Sequence, residues 1–343
     1  MNKAWMTGIV ASALAACQPQ TVDLGSSRSS GNNGPDGSAT IPVGVDCWGG
    51  SCVMLASAHP SNIAVDATSV YWTNPVGGSN GVSVGYVMSV PITGGAPRTL
   101  ASDQNFPFGI AVDSTNVYWT TLGDDGPGAP PGSIAGTVMR LPVVGGAQSQ
   151  LVGNRLTGCQ SVAVNGSGVY WTEDGGAVFG TPFGGGPVTT IGATEDKHGG
   201  IAVDAARVYW TDTTLGVVEA APIAGGAAVT LADAQEQPYG IAVDPNNVYW
   251  TTLDSIVSVP LGGGTPTTIA SGQAEPWYIE VDGSNVYWTT TQGGTLMRAP
   301  SVGGTPATLA SNLEGPGSLA VDATSVYWAE MGLSQRIVKR TPK

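Results

Sequence analysis

The residues of this chain with the clearest capacity for chemistry are one histidine and two acids near its middle. His198 ends the charged tetrapeptide 195–198 (EDKH), and Glu173 and Asp212, on either side of it, each directly follow a Trp-Thr pair. A histidine beside carboxylates can bind a divalent metal or act as acid and base, and the alternative is a solvated acidic loop. The chain has two His and no paired-His motif, nucleophile elbow or Gly-rich phosphate loop. The sequence therefore favours a non-catalytic protein, and we assign no catalytic residue. If the protein is an enzyme, the candidates are His198, Glu173 and Asp212.

Both Trp-Thr pairs belong to a motif that recurs along the chain, typified by Gly240–Thr252 (GIAVDPNNVYWTT). Each copy has an apolar triplet, an Asp (Asn165 in one copy), a short polar turn and Val-Tyr-Trp. The copies follow one another at intervals of 38 to 52 residues, the period of propeller blades. Seven of the ten Trp occupy the same slot: Trp72, Trp119, Trp171, Trp210, Trp250, Trp288 and Trp328.

Each repeat contains four short strand candidates, and a Gly-Gly pair such as Gly225-Gly226 separates the last two. Gly supplies the positive φ that tight hairpins require. The strands are apolar on both faces, as expected of a blade that lies between two other blades. The motif Asp is expected to accept hydrogen bonds from the amides of the turn that follows it.

The two ends of the repeat array complement each other. The last copy ends at residues 338–342 without a Gly-Gly turn or a fourth strand, whereas residues 49–56 match Gly303–Ala310. We therefore predict an all-β, seven-bladed β-propeller of four-stranded blades. The N-terminal strand (about 49–56) completes the C-terminal blade and closes the ring, which removes exposed sheet edges.

The GIAVD, VYWT and Gly-Gly pattern resembles the YWTD/NHL-type and TolB-like propellers over residues 49–342. YWTD domains are usually six-bladed. Because only one repeat of this chain, at Trp210-Thr211-Asp212, keeps the Trp-Thr-Asp of that motif, the blade number of the family is not carried over to this chain. The resemblance implies binding of proteins or peptides, with hydrolases, lactonases and lyases as a minority. Streptogramin-lyase-like propellers use His, Glu and a divalent cation. The resemblance therefore gives the alternative function, a metal-assisted lyase or hydrolase near His198, Glu173 and Asp212.

The loops that vary between repeats join strands two to three and one blade to the next, and they emerge on one side of the disc. We call this side the variable face; adaptable loops on a rigid scaffold are the usual seat of recognition. Two of these loops, Thr73–Tyr86 and Thr120–Thr137, are long enough to form a lip, and an Asp pair in the second could bind calcium or form a solvated turn. Aromatic residues of the inter-blade loops could anchor a peptide or sugar, or pack under the loops. The binding-face candidates are Asn74, Phe108, Asp124, Asp125, Glu173, Asp212, Tyr239, Trp277, Tyr278 and Glu330.

The N-terminus has the features of a targeting segment. Residues 1–16 carry Lys3 and an apolar run too short to span a bilayer, and 14–17 (LAAC) resembles the bacterial lipobox. We predict a lipoprotein signal peptide (1–16), a lipidated Cys17 followed by a flexible Ser/Gly-rich tether (17–45), and a propeller domain (46–343). An ordinary secretory signal is the alternative. By the family rule for lipoproteins, Gln18 indicates the outer membrane of the cell envelope.

Charge and cysteine content limit the partners. The formal net charge of −13 argues against nucleic acid and against anionic lipid surfaces, and it is compatible with a cationic ligand or a divalent metal. We expect a monomer without a cofactor, a divalent cation being the alternative, and an unidentified protein, peptide or glycan as partner. Cys47 and Cys52 flank a short turn in an exported chain, which predicts a disulfide and leaves Cys159 as a buried or loop thiol.

Overall fold

The computed structural model of the protein describes residues 45–76, 84–123, 136–156, 158–173, 175–193 and 198–343. These residues form β-strands joined by turns and contain no helix. Within these ranges, accordingly, there is no helical segment that could cross a bilayer.

The strands follow one another with short connections, and most are five to eight residues long. In chain order they are β1 (Asp46–Cys47), β2 (Ser51–Ser57), β3 (Ile63–Val65), β4 (Ser69–Val76), β5 (Val84–Pro91), β6 (Arg98–Asn105), β7 (Pro107–Val112), β8 (Asn116–Thr121), β9 (Gly136–Pro142), β10 (Ser149–Leu156), β11 (Cys159–Val164), β12 (Gly168–Glu173), β13 (Ala177–Pro182), β14 (Thr189–Ala193), β15 (His198–Val203), β16 (Arg207–Asp212), β17 (Val217–Pro222), β18 (Val229–Ala232), β19 (Ile241–Val243), β20 (Asn247–Thr251), β21 (Ile256–Pro260), β22 (Thr267–Ala270), β23 (Pro276–Val281), β24 (Asn285–Thr290), β25 (Thr295–Pro300), β26 (Ala307–Ser311), β27 (Pro316–Val321), β28 (Val326–Glu330) and β29 (Arg336–Thr341).

The strands form seven antiparallel sheets, one for each repeat, so the predicted seven-bladed propeller is confirmed. Blades 1 to 6 take four consecutive strands each, from β3–β6 to β23–β26. Blade 7 combines β27, β28 and β29 with β2, whose register runs from Ser51 opposite Thr341 to Ser57 opposite Arg336. The N-terminal strand therefore completes the last blade, as the split repeat predicted.

Strand β1 makes a connection that the sequence did not predict. Instead of belonging to blade 7, it pairs with β26 and adds a fifth strand to the outer edge of blade 6. The Trp48 amide then donates to the Leu309 carbonyl at 3.0 Å, and a disulfide joins Cys47 to Cys52 at the start of β2. The closing segment is thus attached to two neighbouring blades.

The core lies between the blades. All seven motif Trp side chains are at most 1% exposed. Trp250 of blade 5, for example, packs against Tyr209, Val218 and Leu231 of blade 4. Because every blade contributes to an apolar cluster on each side, its inner strands are apolar on both faces rather than alternating.

The motif Asp organises the turn after the first strand, as predicted. In blade 1, Oδ1 of Asp66 accepts from the amides of Thr68 and Ser69 at 2.7 and 2.8 Å. Its Oδ2 also accepts from the Tyr71 hydroxyl at 2.8 Å, a contact that the sequence did not predict. Burial alone would raise the pKa of Asp66, but these hydrogen bonds outweigh it and lower the pKa; burial together with the Asp66 carboxylate raises the pKa of Tyr71 to about 12. The motif Tyr is therefore a neutral donor that fastens the turn to the second strand.

Candidate functional site

The structure has a cavity of about 140 Å³ on the propeller axis. Its walls come from the innermost strand of every blade, at the end where that strand begins. Since the inter-blade loops lead into these strand ends, the cavity lies toward the variable face. Its lining mixes Ile side chains with glycine backbone, three aromatic residues and a few polar groups.

The motif Thr joins neighbouring inner strands around this cavity. In blade 5, the hydroxyl of Thr251 accepts from the Gly240 amide at 2.9 Å and donates to the Trp277 carbonyl of blade 6 at 3.2 Å. The strands approach so closely that a Cβ on Gly240 would lie 2.3 Å from that same carbonyl oxygen. Glycine is therefore required at this position by the close approach of two backbones.

The closing junction between blades 7 and 1 uses a different group. Blade 7 has Ala329 where other blades have the motif Thr. Here the Ile63 amide of blade 1 donates instead to the Ser318 hydroxyl of blade 7 at 3.2 Å. A side chain of the inner strand thus makes the inter-blade hydrogen bond at the closing junction.

Glu280 is the charged residue of the cavity wall and was missed by the sequence analysis. Its place in the apolar triplet of blade 6 is occupied by alanine in the other six blades, so aligning the triplets would have found it. Burial raises the pKa of Glu280 to about 7, although a hydrogen bond from the Val281 amide opposes the shift. Glu280 is half-buried and lines the cavity, where the surrounding protein atoms disfavour the charged form of its carboxyl group.

The raised pKa of Glu280 predicts how stability depends on pH. The folded state favours the protonated form of Glu280. The stability that this residue contributes is therefore fully present below its ordinary pKa of 4.5 and is lost as pH rises through the folded-state pKa of about 7. We expect the free energy of unfolding to fall by roughly 2–3 kcal/mol between pH 5 and pH 8, at about 1.4 kcal/mol per unit of pKa shift. Urea unfolding should show this decrease in the wild type and little of it in Glu280→Gln. Equal pH profiles for the two proteins would contradict the assignment.

Aromatic side chains surround the mouth of the cavity. Phe108, Tyr239 and Tyr278 line it and are partly exposed. The rings of Tyr239 and Trp277 have centroids 3.9 Å apart at an angle of 36°. Four of the predicted binding-face residues (Phe108, Tyr239, Trp277 and Tyr278) are therefore at or next to one pocket, where they combine partial packing with partial exposure.

Three acids, Glu173, Asp212 and Glu330, lie two residues after the motif Trp of their blade and are buried. Glu173 and Glu330 each accept from the indole Nε1 of the Trp two residues earlier, at 3.0 and 3.2 Å, and Glu330 also forms a 2.9 Å ion pair with Arg336. Asp212 accepts from the amides of Thr214 and Leu215 at 2.9 and 2.8 Å. All three side chains are at most 7% exposed. Their contacts are those of residues that hold the second strand and its turn in place.

His198 is opposite Asp212 in the pairing of β15 with β16. The second oxygen of Asp212, Oδ2, is buried and has no hydrogen-bond partner among the described atoms, and the side chain of His198 lies outside the described part of the structure. The other candidates outside the described residues are Cys17, Asp124 and Asp125. No group of three or more His, Cys, Asp or Glu side chains suited to a metal ion occurs in the described ranges.

Of the two loops predicted to form a lip, Thr73–Tyr86 begins and ends in β-strand, and the central residues of both loops (77–83 and 124–135) lie outside the described part of the structure. Strands β4 and β5 continue pairing for three residue pairs beyond Thr73, as far as Val76 opposite Val84, whereas β20 and β21 of blade 5 end at Thr251 opposite Ile256. Asn74 lies in this extension with its side-chain oxygen buried. The second and third strands of blade 1 therefore extend further toward the variable face than those of blade 5.

Comparison with known proteins relates the chain to others through its fold. No protein-family model and no curated protein matches the sequence. A solved structure of the computationally designed Ika8 protein matches with a TM-score of 0.62 and 13% identity, covering 87% of this chain and 98% of that chain. This likeness shows the fold alone. A structure of a nidogen/laminin complex matches with a TM-score of 0.45 and 18% identity over 73% of this chain and 83% of that one, too distant to carry an argument.

Proposed function

We propose that the protein is a non-catalytic binding module that takes a protein, peptide or glycan on its variable face. The observation that carries the proposal is the axial cavity, with the partly exposed rings of Phe108, Tyr239 and Tyr278 at its mouth. Large rings with a polar edge are the usual anchors of interfaces, and a rigid ring of blades holds them in position without an ordering cost on binding.

The proposal includes a location. The lipobox-like 14–17 and the Ser/Gly-rich segment after it support lipidation at Cys17, which would hold the propeller at the bacterial cell envelope, at the outer membrane by the rule for Gln18. In that setting a strongly acidic propeller on a tether would present its variable face to extracytoplasmic partners. Acyl chains on Cys17 would suffice to attach such a protein to a membrane.

The test compares two Trp residues that lie outside the blade core, the half-buried Trp277 and the exposed Trp48. The wild-type protein is applied to arrays of peptides and glycans, and each compound that binds is measured again singly with Trp277→Ala and Trp48→Ala. Trp277 stacks on Tyr239 beside the cavity, whereas Trp48 is 58% exposed in the turn between β1 and β2 at the rim. We expect Trp277→Ala to weaken binding at least tenfold and Trp48→Ala to change it less than twofold.

Two results would contradict the proposal. One is the absence of any binding compound, and the other is an equal loss of binding in both variants. The alternative is a metal-assisted lyase or hydrolase near His198, Glu173 and Asp212. It draws on Oδ2 of Asp212, which is buried, has no hydrogen-bond partner among the described atoms and belongs to the residue paired with His198. It requires instead that EDTA lowers the melting temperature and that magnesium or calcium restores it.

A further inference from the structure

One residue of the cavity wall, Glu280, indicates which chemical class of ligand the protein binds; this inference rests on the proposed binding function. The second residue of the apolar triplet is small in every blade except blade 6, where it is Glu280. The other six are Ala64, Ala111, Ala163, Ala202, Ala242 and Ala320. A fold that is built with alanine six times does not need a carboxylate at this position, and an acid there is costly to bury.

The cavity wall supplies no charge to balance Glu280. The described residues that line the cavity include no Lys, Arg or His. Two other acids of low exposure do have cationic partners: Glu330 pairs with Arg336 at 2.9 Å and Asp282 with Lys343 at 2.7 Å. The buried Glu173 and Asp212 accept hydrogen bonds from an indole and from backbone amides. Glu280 thus has the environment of a carboxylate whose counter-charge comes from outside the chain.

The remaining groups of the cavity suit a small organic cation. Phe108, Tyr239 and Tyr278 offer aromatic rings, which attract cations to their faces. The hydroxyls of Ser161 and Ser318 lie in the same wall and can accept hydrogen bonds from an ammonium group. The volume of about 140 Å³ is well above the ~10–15 Å³ that a single water molecule requires, and it leaves room for an ammonium group and a short aliphatic chain.

We propose that the axial cavity binds an alkylammonium group, as on the lysine side chain of a partner peptide, and that Glu280 supplies its counter-charge. The aliphatic part of the lysine lies among the aromatic rings at the mouth, and the ammonium group reaches the carboxylate in the wall. The net charge of −13 favours the approach of such a cation from solution.

The experiment compares two probes that differ by one ammonium group. The two probes are Nα-acetyl-lysine methylamide, which keeps its ε-ammonium group, and Nα-acetyl-norleucine methylamide. Each is titrated into the full-length protein, and binding is followed by NMR chemical shifts. We expect saturable binding of the lysine probe, at least tenfold weaker binding of the norleucine probe, and at least a tenfold loss of lysine-probe affinity in Glu280→Gln. The control Glu236→Gln removes the same charge from an exposed inter-blade loop and should change the affinity less than twofold.

A second variant distinguishes a loss of binding from a loss of folding. Glu280→Ala restores the residue found in the other six blades, so it should melt at or above the wild-type temperature while losing the lysine probe. The inference fails if the lysine probe does not bind, if the two probes bind equally, or if folded Glu280 variants bind the lysine probe like the wild type. If the compounds found on the arrays nevertheless bind more weakly to Trp277→Ala, the proposed binding function is correct and the inferred cationic ligand is wrong.

Discussion

Deleting residues 46–56 should unfold the propeller. The deletion removes β1 and nearly all of β2, exposes the edge of β29, and takes away Leu55 and Ala56, which are 6% and 4% exposed in the core next to blade 1. Losing a buried Leu side chain costs about 2–5 kcal/mol by itself. Together with the lost strand pairing, the total exceeds about 5 kcal/mol, which is the whole stability of many domains. Size-exclusion chromatography and near-UV circular dichroism would measure the outcome.

Two further variants locate the cause. Deleting residues 18–44, a Ser/Gly-rich stretch with few apolar residues, should leave the urea midpoint unchanged. The double variant Cys47→Ser/Cys52→Ser keeps the strand and should lose about 2 kcal/mol, the chain-entropy value for so short a loop. If the 46–56 deletion were folded, monomeric and as stable as the wild type, closure by the N-terminal strand would be wrong.

Replacing Trp250 with alanine should cost about 3–5 kcal/mol of unfolding free energy. The side chain is completely buried between blades 4 and 5, and the substitution leaves a large cavity among Tyr209, Val218 and Leu231. It also removes the indole Nε1, which donates to Oε1 of Gln235 at 3.0 Å, so a partly buried acceptor loses its partner. Urea unfolding followed by far-UV circular dichroism measures the loss.

Matched substitutions separate packing from hydrogen bonding at this position. Trp48→Ala, at a side chain that is 58% exposed, should change stability by less than about 0.5 kcal/mol. The loss of stability in Trp250→Phe should lie between those of Trp48→Ala and Trp250→Ala, because Phe keeps an aromatic ring but lacks the donor to Gln235. A cost below about 1 kcal/mol for Trp250→Ala would mean that the motif Trp does not hold the blades together.

The sequence predicted those parts of the fold that repeat. The Asp turn, the buried Trp and the Gly-Gly hairpin each meet a local physical requirement, and their recurrence from blade to blade makes the requirement visible; Gly225 and Gly226, for example, have φ of 82° and 146°. The contact between the Tyr71 hydroxyl and Asp66 belongs to the same motif. It was missed because a spacing of five residues across a turn does not by itself show which side chains meet.

What the sequence did not predict are the exceptions to the repeat. Strand β1 is only Asp46 and Cys47, too short for any periodic pattern, and its partner β26 is distant in the sequence. Glu280 lies within a triplet that was treated as uniformly apolar. Glu173 and Glu330 were assigned to the variable face because they follow the motif, but they still belong to the second strand and therefore point between blades toward an indole.

The fifth strand of blade 6 has a mechanical consequence. Tension on the segment that precedes Asp46 enters the ring at its rim, through the pairing of β1 with β26. The cross-link from Cys47 to Cys52 passes the remaining load directly to β2, so a pull is divided between blades 6 and 7. A propeller pulled in this way would resist the separation of its closing strand from β29.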